Sequence, residues 1–366
     1  MSPGSPSNIC FVNTNNGWGG GEKWHLDHAE YLTEKSYNVV LITRKNSDLH
    51  EKAEQAGIRT FSMHVRGLSF LNIYKISRLY HFFQEKQIEV VIINGPSDFK
   101  LVGLAAKLAG VPNIIYRRGL AKPIGRNFIN SFLLKKAIHF LMVNSRHTEE
   151  IFLEKYPELR RNLKIKLLYN GVQVDAKSVL ERSPKKRSGK FILGNASRLS
   201  YEKGHDLLIL AAGELVKKGI DFTLVIAGEG SLGPRLRHMV REQGLEKHIV
   251  FNGFVEDIPR FMEDIDLYLC TSRYEGFGYS IAEAMMAEKP VVAFKTGSLP
   301  ELIVDGETGF LVEPFDIALL AEKTMTLIQH KDLYTRLGKA GKERAVVYFN
   351  KETQLKKFEE FLQEEL

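Results

Sequence analysis

Short, almost uninterrupted apolar runs recur along the first half of the chain, each followed by a loop and then an amphipathic stretch. Residues 9–13, 39–42, 59–63, 90–93, 113–116 and 140–143 read as strands, with helical patterns at 22–34, 51–56, 72–86 and 100–109. Strands that are apolar on both faces belong in a parallel sheet covered by helices, and repeated βα units of this kind predict a doubly wound fold. Residues 183–190, Ser-Pro-Lys-Lys-Arg-Ser-Gly-Lys, hold no apolar side chain and read as a linker. The alternation then restarts, with strands at 191–194, 223–227, 249–251, 267–270 and 291–294, and the chain closes on helical stretches at 317–329, 334–348 and 352–365. The expected class is α/β, with two Rossmann-like doubly wound parallel-sheet domains facing a cleft. They are placed at 1–180 and 181–348, leaving a C-terminal helix at 349–366 to pack back on the first domain.

A chain of 366 residues with 44% hydrophobic content is long enough for two cores. It holds no run of about 18 apolar residues, and its first seven residues form a polar tail without a signal-peptide apolar region, so a cytoplasmic location is expected. Cys10 and Cys270 fall in strands of different halves, which argues against a disulfide framework or a cysteine zinc site. Charge changes the picture more. Residues 1–176 carry 24 Lys and Arg against 15 Asp and Glu, whereas residues 177–366 carry 27 against 29. No acid occurs from Phe99 to Thr148. An anionic partner for the first half is one reading: a lipid surface, an acidic saccharide or, last because no recognised motif accompanies the charge, nucleic acid. A basic face that only aids solubility is the other.

The loops after the strands carry the candidate chemistry. Asn16-Gly17-Trp18-Gly19-Gly20-Gly21-Glu22 lies between the first strand and its helix, where glycines let the backbone approach an anion at a helix N-terminus. The spacing is not G-x-G-x-x-G, and the second strand ends at Thr43 without an acid for a ribose hydroxyl, which counts against dinucleotide binding. In the second half, Arg198 and Lys203 stand five residues apart on a strand-to-helix loop, with the geometry to clamp a diphosphate. Gly228-Glu229-Gly230 and Gly253-Phe254-Val255 end the next two strands at the same sheet edge. Glu275-Gly276-Phe277-Gly278-Tyr279-Ser280-Ile281-Ala282-Glu283 follows the run at 267–270. There two carboxylates flank a bend that opens a helix, an arrangement suited to a sugar–diphosphate–ribose ligand. Taken singly, each of these loops also reads as solvated charge or a tight turn.

As an ordered set, with Asn144-Ser145, Tyr169-Asn170-Gly171-Val172 and Gly306-Glu307-Thr308-Gly309-Phe310-Leu311-Val312, the motifs resemble those of the retaining GT-B glycosyltransferases of family 4, from Ile9 to about Tyr348. The resemblance implies transfer of a hexose-type sugar from a nucleoside diphosphate, UDP or GDP, to a glycan or glycolipid acceptor in lipopolysaccharide or other surface-polysaccharide assembly. It implies that Arg198 and Lys203 hold the diphosphate, with Gly19 and Gly20 approaching it across the cleft. Glu275 would meet donor-sugar hydroxyls; Gly276, Phe277, Gly278 and Ser280 the sugar and phosphate; Glu283 the ribose. Glu229, Phe254 and Val255 would border the nucleotide. Arg198, Lys203 and Glu275 are thereby the catalytic candidates, with neither metal nor other cofactor. The one D-x-D, Asp264-Ile265-Asp266, falls where a helix enters a strand and reads as structural.

The family's usual His in the first lobe is replaced by Asn94-Gly95-Pro96-Ser97-Asp98 and Arg117-Arg118-Gly119. Asp98 is a candidate base or acceptor-hydroxyl ligand, although capping its helix is the ordinary role there. Arg117 and Arg118 are candidates for an anionic acceptor, and His25 and His28, inside a helix, read as packing residues. Residues 125–136 are basic and apolar together, suited either to peripheral attachment at the inner membrane face or to an ordinary core-facing helix. Two rival functions stay open: a nucleotide-sugar epimerase or hydrolase, which consumes donor without acceptor, and a non-catalytic sugar-nucleotide-binding subunit.

Overall fold

The computed structural model describes residues 8–122, 124–173 and 190–366. The chain divides into two compact units: the first runs to Asn170 and takes back Gln354–Leu366, and the second is Gly171–Thr353. The expected boundary at 180–181, and all of the expected linker except Lys190, lie outside the described residues.

In the first unit the strands are β1 (Asn8–Asn13), β2 (Asn38–Thr43), β3 (Arg59–Ser62), β4 (Val90–Ile93), β5 (Asn113–Arg118), β6 (Phe140–Val143) and β7 (Lys164–Leu167). They form a seven-stranded sheet in the order β3-β2-β1-β4-β5-β6-β7. All its pairings are parallel, with β1 held between β2 and β4. The helices are α1 (Gly20–Glu34), α2 (Asp48–Gln55), α3 (Ile73–Glu85), α4 (Pro96–Leu108), α5 (Phe128–Lys136) and α6 (Arg146–Lys155). Several start where a short polar side chain accepts from a helix N–H: Ser47 from His50, Asn72 from Lys75, Asn127 from Asn130 and Ser145 from Thr148.

One sheet face packs on Phe82, Phe83, Phe99, Leu133 and Phe152 of α3 to α6, and the other on α1 and α2. This second face also receives the C-terminal helix, which is α14 in chain order and spans Lys351–Glu364. Leu355, Phe358, Phe361 and Leu362 recur at helical spacing and are buried. Phe358 packs against Trp24, Phe11 and His28 with centroid distances of 5.5, 6.2 and 4.9 Å, and Phe361 against Phe140 at 5.1 Å.

In the second unit β8 (Phe191–Ala196), β9 (Phe222–Ala227), β10 (Ile249–Gly253), β11 (Leu267–Cys270), β12 (Val291–Phe294) and β13 (Phe310–Val312) form a six-stranded sheet, ordered β10-β9-β8-β11-β12-β13. The helices here are α7 (His205–Lys217), α8 (Gly233–Glu242), α9 (Ile258–Asp264), α10 (Tyr279–Met286), α11 (Leu299–Leu302), α12 (Ile317–Gln329) and α13 (Lys331–Tyr348). Strands β11 and β12 are wholly buried, which explains their legibility as apolar runs.

Phe358→Ala removes a ring that packs against Phe11, Trp24, His28 and Phe361. The expected outcome is a loss of about 3–5 kcal/mol from the first unit, read as a lower melting temperature by differential scanning calorimetry, with the second unit's transition unmoved.

Candidate functional site

The second unit's sheet reverses its winding between β8 and β11, and in open α/β sheets ligands bind outside the carboxyl ends of strands at such a point. The strands ending there are β8 at Ala196 and β11 at Cys270. Their following loops are laced together. Gly204 has φ +64°, and a Cβ there would collide with the Thr271 carbonyl oxygen, so only glycine permits this approach. Thr271 Oγ1 donates to the Gly204 carbonyl at 2.8 Å, and the Arg273 amide to that of Glu202 at 2.8 Å. The Arg273 guanidinium forks onto Asp206 at 2.8 and 2.7 Å and donates to the Tyr201 carbonyl at 3.0 Å.

This lacing brings Lys203 Nζ to 2.7 Å from Glu275 Oε2, with side chains 24% and 12% exposed. Ser272 Oγ donates to the same carboxylate at 3.2 Å. Burial pushes the Lys203 pKa down, but the charge and hydrogen bond of Glu275 more than reverse this, so the ammonium is held above its usual range. Arg198, on the same loop, is exposed and its guanidinium has no hydrogen-bond or ion-pair partner among the described residues.

Next to the pair, α10 begins at a left-handed N-cap, Gly278, which has no side chain to cap the helix. Phe277 is buried and sets its ring edge-on to Tyr279 and Phe349, which anchors the bend after Gly276. Ser280 and Glu283 lie in the first turns of α10, half-buried, with Ser280 Oγ 2.8 Å from the Tyr268 hydroxyl. The neighbouring loops join by backbone: the Leu199 amide donates to Glu229 at 2.9 Å and the Gly228 amide to Gly253 at 2.6 Å. Glu229 and Phe254 are exposed and Val255 is half-buried. The second-unit donor candidates Arg198, Lys203, Glu229, Phe254, Val255 and Glu275 thus follow the carboxyl ends of β8 to β11.

In the first unit Gly19 is the extended N-cap of α1 and Gly20 its first residue. The other three candidates there are buried. Asp98 is buried, and its carboxylate accepts from the Thr14 amide at 3.1 Å and from Thr14 Oγ1 at 2.5 Å. It ties the β1–α1 loop to α4, whose N-cap is Gly95, and does not cap its own helix. Arg117 and Arg118 are buried rather than displayed. Arg117 donates to Asn94 at 3.0 Å and Asn170 at 2.9 Å and lies over Trp24, whereas Arg118 donates to the carbonyls of Leu120 and Lys122. Both brace loops, which favours a positioning role over direct acceptor contact.

Asp266 accepts from the Ile192 amide at 2.7 Å and Asp264 pairs with Arg260 at 3.2 Å, consistent with a structural D-x-D. Among the described residues no three His, Cys, Asp or Glu side chains form a metal-like group, and no helix is long and apolar enough to cross a membrane. Sequence reasoning missed Arg273, Asp206 and Tyr268. Their partners are distant in sequence, and the signal available was only their position at strand and helix ends.

A model of the glycosyl transferases group 1 matches residues 177–344, and one of glycosyltransferase family 4 matches residues 18–176. A poly(ribitol-phosphate) α-N-acetylglucosaminyltransferase of Staphylococcus aureus is 26% identical over 79% of this chain; the match spans 57% of that enzyme, little more than half its length. An uncharacterised glycosyltransferase of Methanocaldococcus jannaschii is 30% identical over 76% of each chain. The crystal structure of Anabaena HepE in complex with UDP and glucose matches with a TM-score of 0.80, covering 98% of this chain and all of that one at 22% identity, a likeness of fold.

Two buried histidines give the units a pH dependence. Burial lowers the His205 pKa to about 4, with Lys203 adding to the effect. Burial and then Arg117 lower that of His25 to about 3, against the Gly21 carbonyl bond that raises it. A folded-state pKa below the unfolded value means that the unfolded chain takes up protons first as pH falls. Stability is therefore complete above about pH 6.5 and declines toward pH 4, by about 2 kcal/mol per histidine between pH 7 and 5. Melting curves from pH 7 to 5 should show this decline, and His205→Gln should flatten it for the second unit.

Proposed function

Since the chain belongs to the glycosyltransferases, of family 4 in its first half and group 1 in its second, we propose that it moves a hexose-type sugar, with retention, from UDP or GDP to a glycan or glycolipid of the cell surface. The observation that carries this reading is the Lys203–Glu275 pair at the β8–β11 edge, with the exposed Arg198 guanidinium, without a partner among the described residues, on the same loop. Departure of the nucleoside diphosphate leaves positive charge on the sugar ring and negative charge on the phosphate. Arg198, Lys203 and the N-terminus of α10 supply preorganised positive charge for the phosphate, worth far more in a half-buried site than in water. Glu275, oriented by Lys203 and Ser272, accepts from donor-sugar hydroxyls. The departing phosphate takes the acceptor's proton, so neither a protein base nor a divalent metal is part of the proposed step. UDP stands with HepE in its crystal structure, and the staphylococcal relative is named for transfer to a phosphate-rich polymer, which supports a UDP donor and an anionic acceptor.

A bilayer contact is favoured by α5. Phe128 and Phe132, one turn apart, are 85% and 45% exposed, and Lys135 and Lys136 on the same helix are exposed as well. Leu133 and Leu134 are buried, the ordinary core-facing role, and the exposed face of the same helix is what supports the bilayer reading. We assign this face to peripheral attachment at anionic lipid.

The functional reading is tested first by thermal shift with UDP, GDP, ADP, CDP and dTDP, one of which should raise the melting temperature. Arg198→Ala should then lower kcat/KM about 100-fold at unchanged melting temperature, because the side chain is exposed and has no partner among the described residues to lose. Lys203→Ala should lower both, because it strands the Glu275 carboxylate. Chelator should leave the rate unchanged, and full activity of both variants would sink the assignment. For the membrane, Phe128→Ser with Phe132→Ser should abolish co-sedimentation with phosphatidylglycerol vesicles while nucleotide binding persists.

A further inference from the structure

Strands β8 and β11 share a ladder at only two pairs, Leu193 with Leu267 and Gly194 with Tyr268. Beyond them β8 continues for two residues. In a parallel strand successive residues address opposite neighbours, and the Ser197 amide donates to Ala227 on the β9 side, so Ala196 faces the gap where β11 has turned away. Buried N–H and C=O groups at such a gap need partners. Two side chains provide them. Asn195 Nδ2 donates to the Leu269 carbonyl at 2.8 Å, and the Tyr268 hydroxyl lies 3.2 Å from both the amide and the carbonyl of Ala196.

The Tyr268 hydroxyl has a third neighbour, Ser280 Oγ, at 2.8 Å. A phenol has one proton to give and two lone pairs. The Ala196 amide occupies one lone pair, which leaves the proton two acceptors: the Ala196 carbonyl and, closer, Ser280 Oγ. Burial pushes the phenol's pKa far up, so the proton stays on oxygen. When it points to Ser280, the serine's own proton is free of the phenol and can be given to a ligand at the start of α10. When it points to Ala196, the serine donates back to the phenol and has nothing to offer a ligand.

We propose that Tyr268 is a positioning residue that directs the Ser280 hydroxyl proton toward a phosphate oxygen held at the N-terminus of α10. This inference rests on the reading of that helix end as the donor-phosphate site. An anionic oxygen at Ser280 selects the first of the two proton arrangements, so the phenol and the serine act as one unit in binding. A residue that merely fills the strand gap would stabilise the fold without this coupling.

The experiment is a double-mutant cycle with Tyr268→Phe, which keeps the ring, Ser280→Ala, and the two combined. UDP and GDP affinities are measured by calorimetric titration beside melting temperatures. For the nucleotide that the wild type binds, each single variant is expected to bind about fivefold to tenfold more weakly, and the double variant no more weakly than Ser280→Ala alone. Melting temperature should behave differently, with Tyr268→Phe still lowering it in the Ser280→Ala background through the lost Ala196 bonds. Ser280→Thr, which keeps a hydroxyl, should retain the dependence on Tyr268. Unchanged affinity in Tyr268→Phe, or losses that multiply in the double variant, would overturn the inference while leaving the donor site standing. A wild-type protein that binds neither UDP nor GDP would overturn that site and the inference together.

Discussion

Lys203 and Glu275 reach each other from loops that follow different strands, and the second unit's functional edge is arranged around keeping them 2.7 Å apart. A half-buried ion pair is a weak source of stability, since removing each charge from water costs much of what their attraction returns. What the pair gains is position. Its loops are fixed by the fork of Arg273 on Asp206, by the collision-free approach that Gly204 allows, and by the Ser298 amide holding the Glu275 carbonyl at 3.2 Å. With both partners already oriented and partly desolvated, little ordering would remain to oppose binding of the proposed donor, which is where preorganised sites gain affinity and rate.

The parts of this arrangement that could be read from sequence are those written locally. Parallel strands buried on both faces must be apolar throughout, so Val90–Ile93 and Val291–Phe294 announce themselves. Edge strand β7 does not, because Lys164 and Lys166 alternate with apolar residues along it and its side chains are only partly buried. The second unit's loops were legible because their glycines and charges sit at strand ends, and the winding of the sheet gathers strand ends on one edge. Burial of charge is another matter. Arg117 and Arg118 look like surface cations in sequence, whereas the partners that allow their burial, Asn94, Asn170 and the carbonyls of Leu120 and Lys122, carry no charge to signal the pairing.

The two units use the same tie in different chemistry. In each, the loop after the first strand of the sheet is joined to the segment after the fourth by a carboxylate: Thr14 to Asp98 in the first unit, Lys203 to Glu275 in the second. The first tie pairs a hydroxyl and an amide with a buried acid, whose pKa burial raises against the two Thr14 bonds that lower it. Its capacity is spent internally, and the result is a fixed loop. The second tie pairs two full charges that remain partly exposed, on the loop that carries the exposed Arg198 and beside a helix start without a side-chain cap. Full charges at partial exposure keep unsatisfied bonding capacity in reserve, which a buried tie cannot. The same topological device therefore joins loops through a buried acid in one unit and through a partly exposed ion pair in the other, and the difference lies in four side chains rather than in the fold.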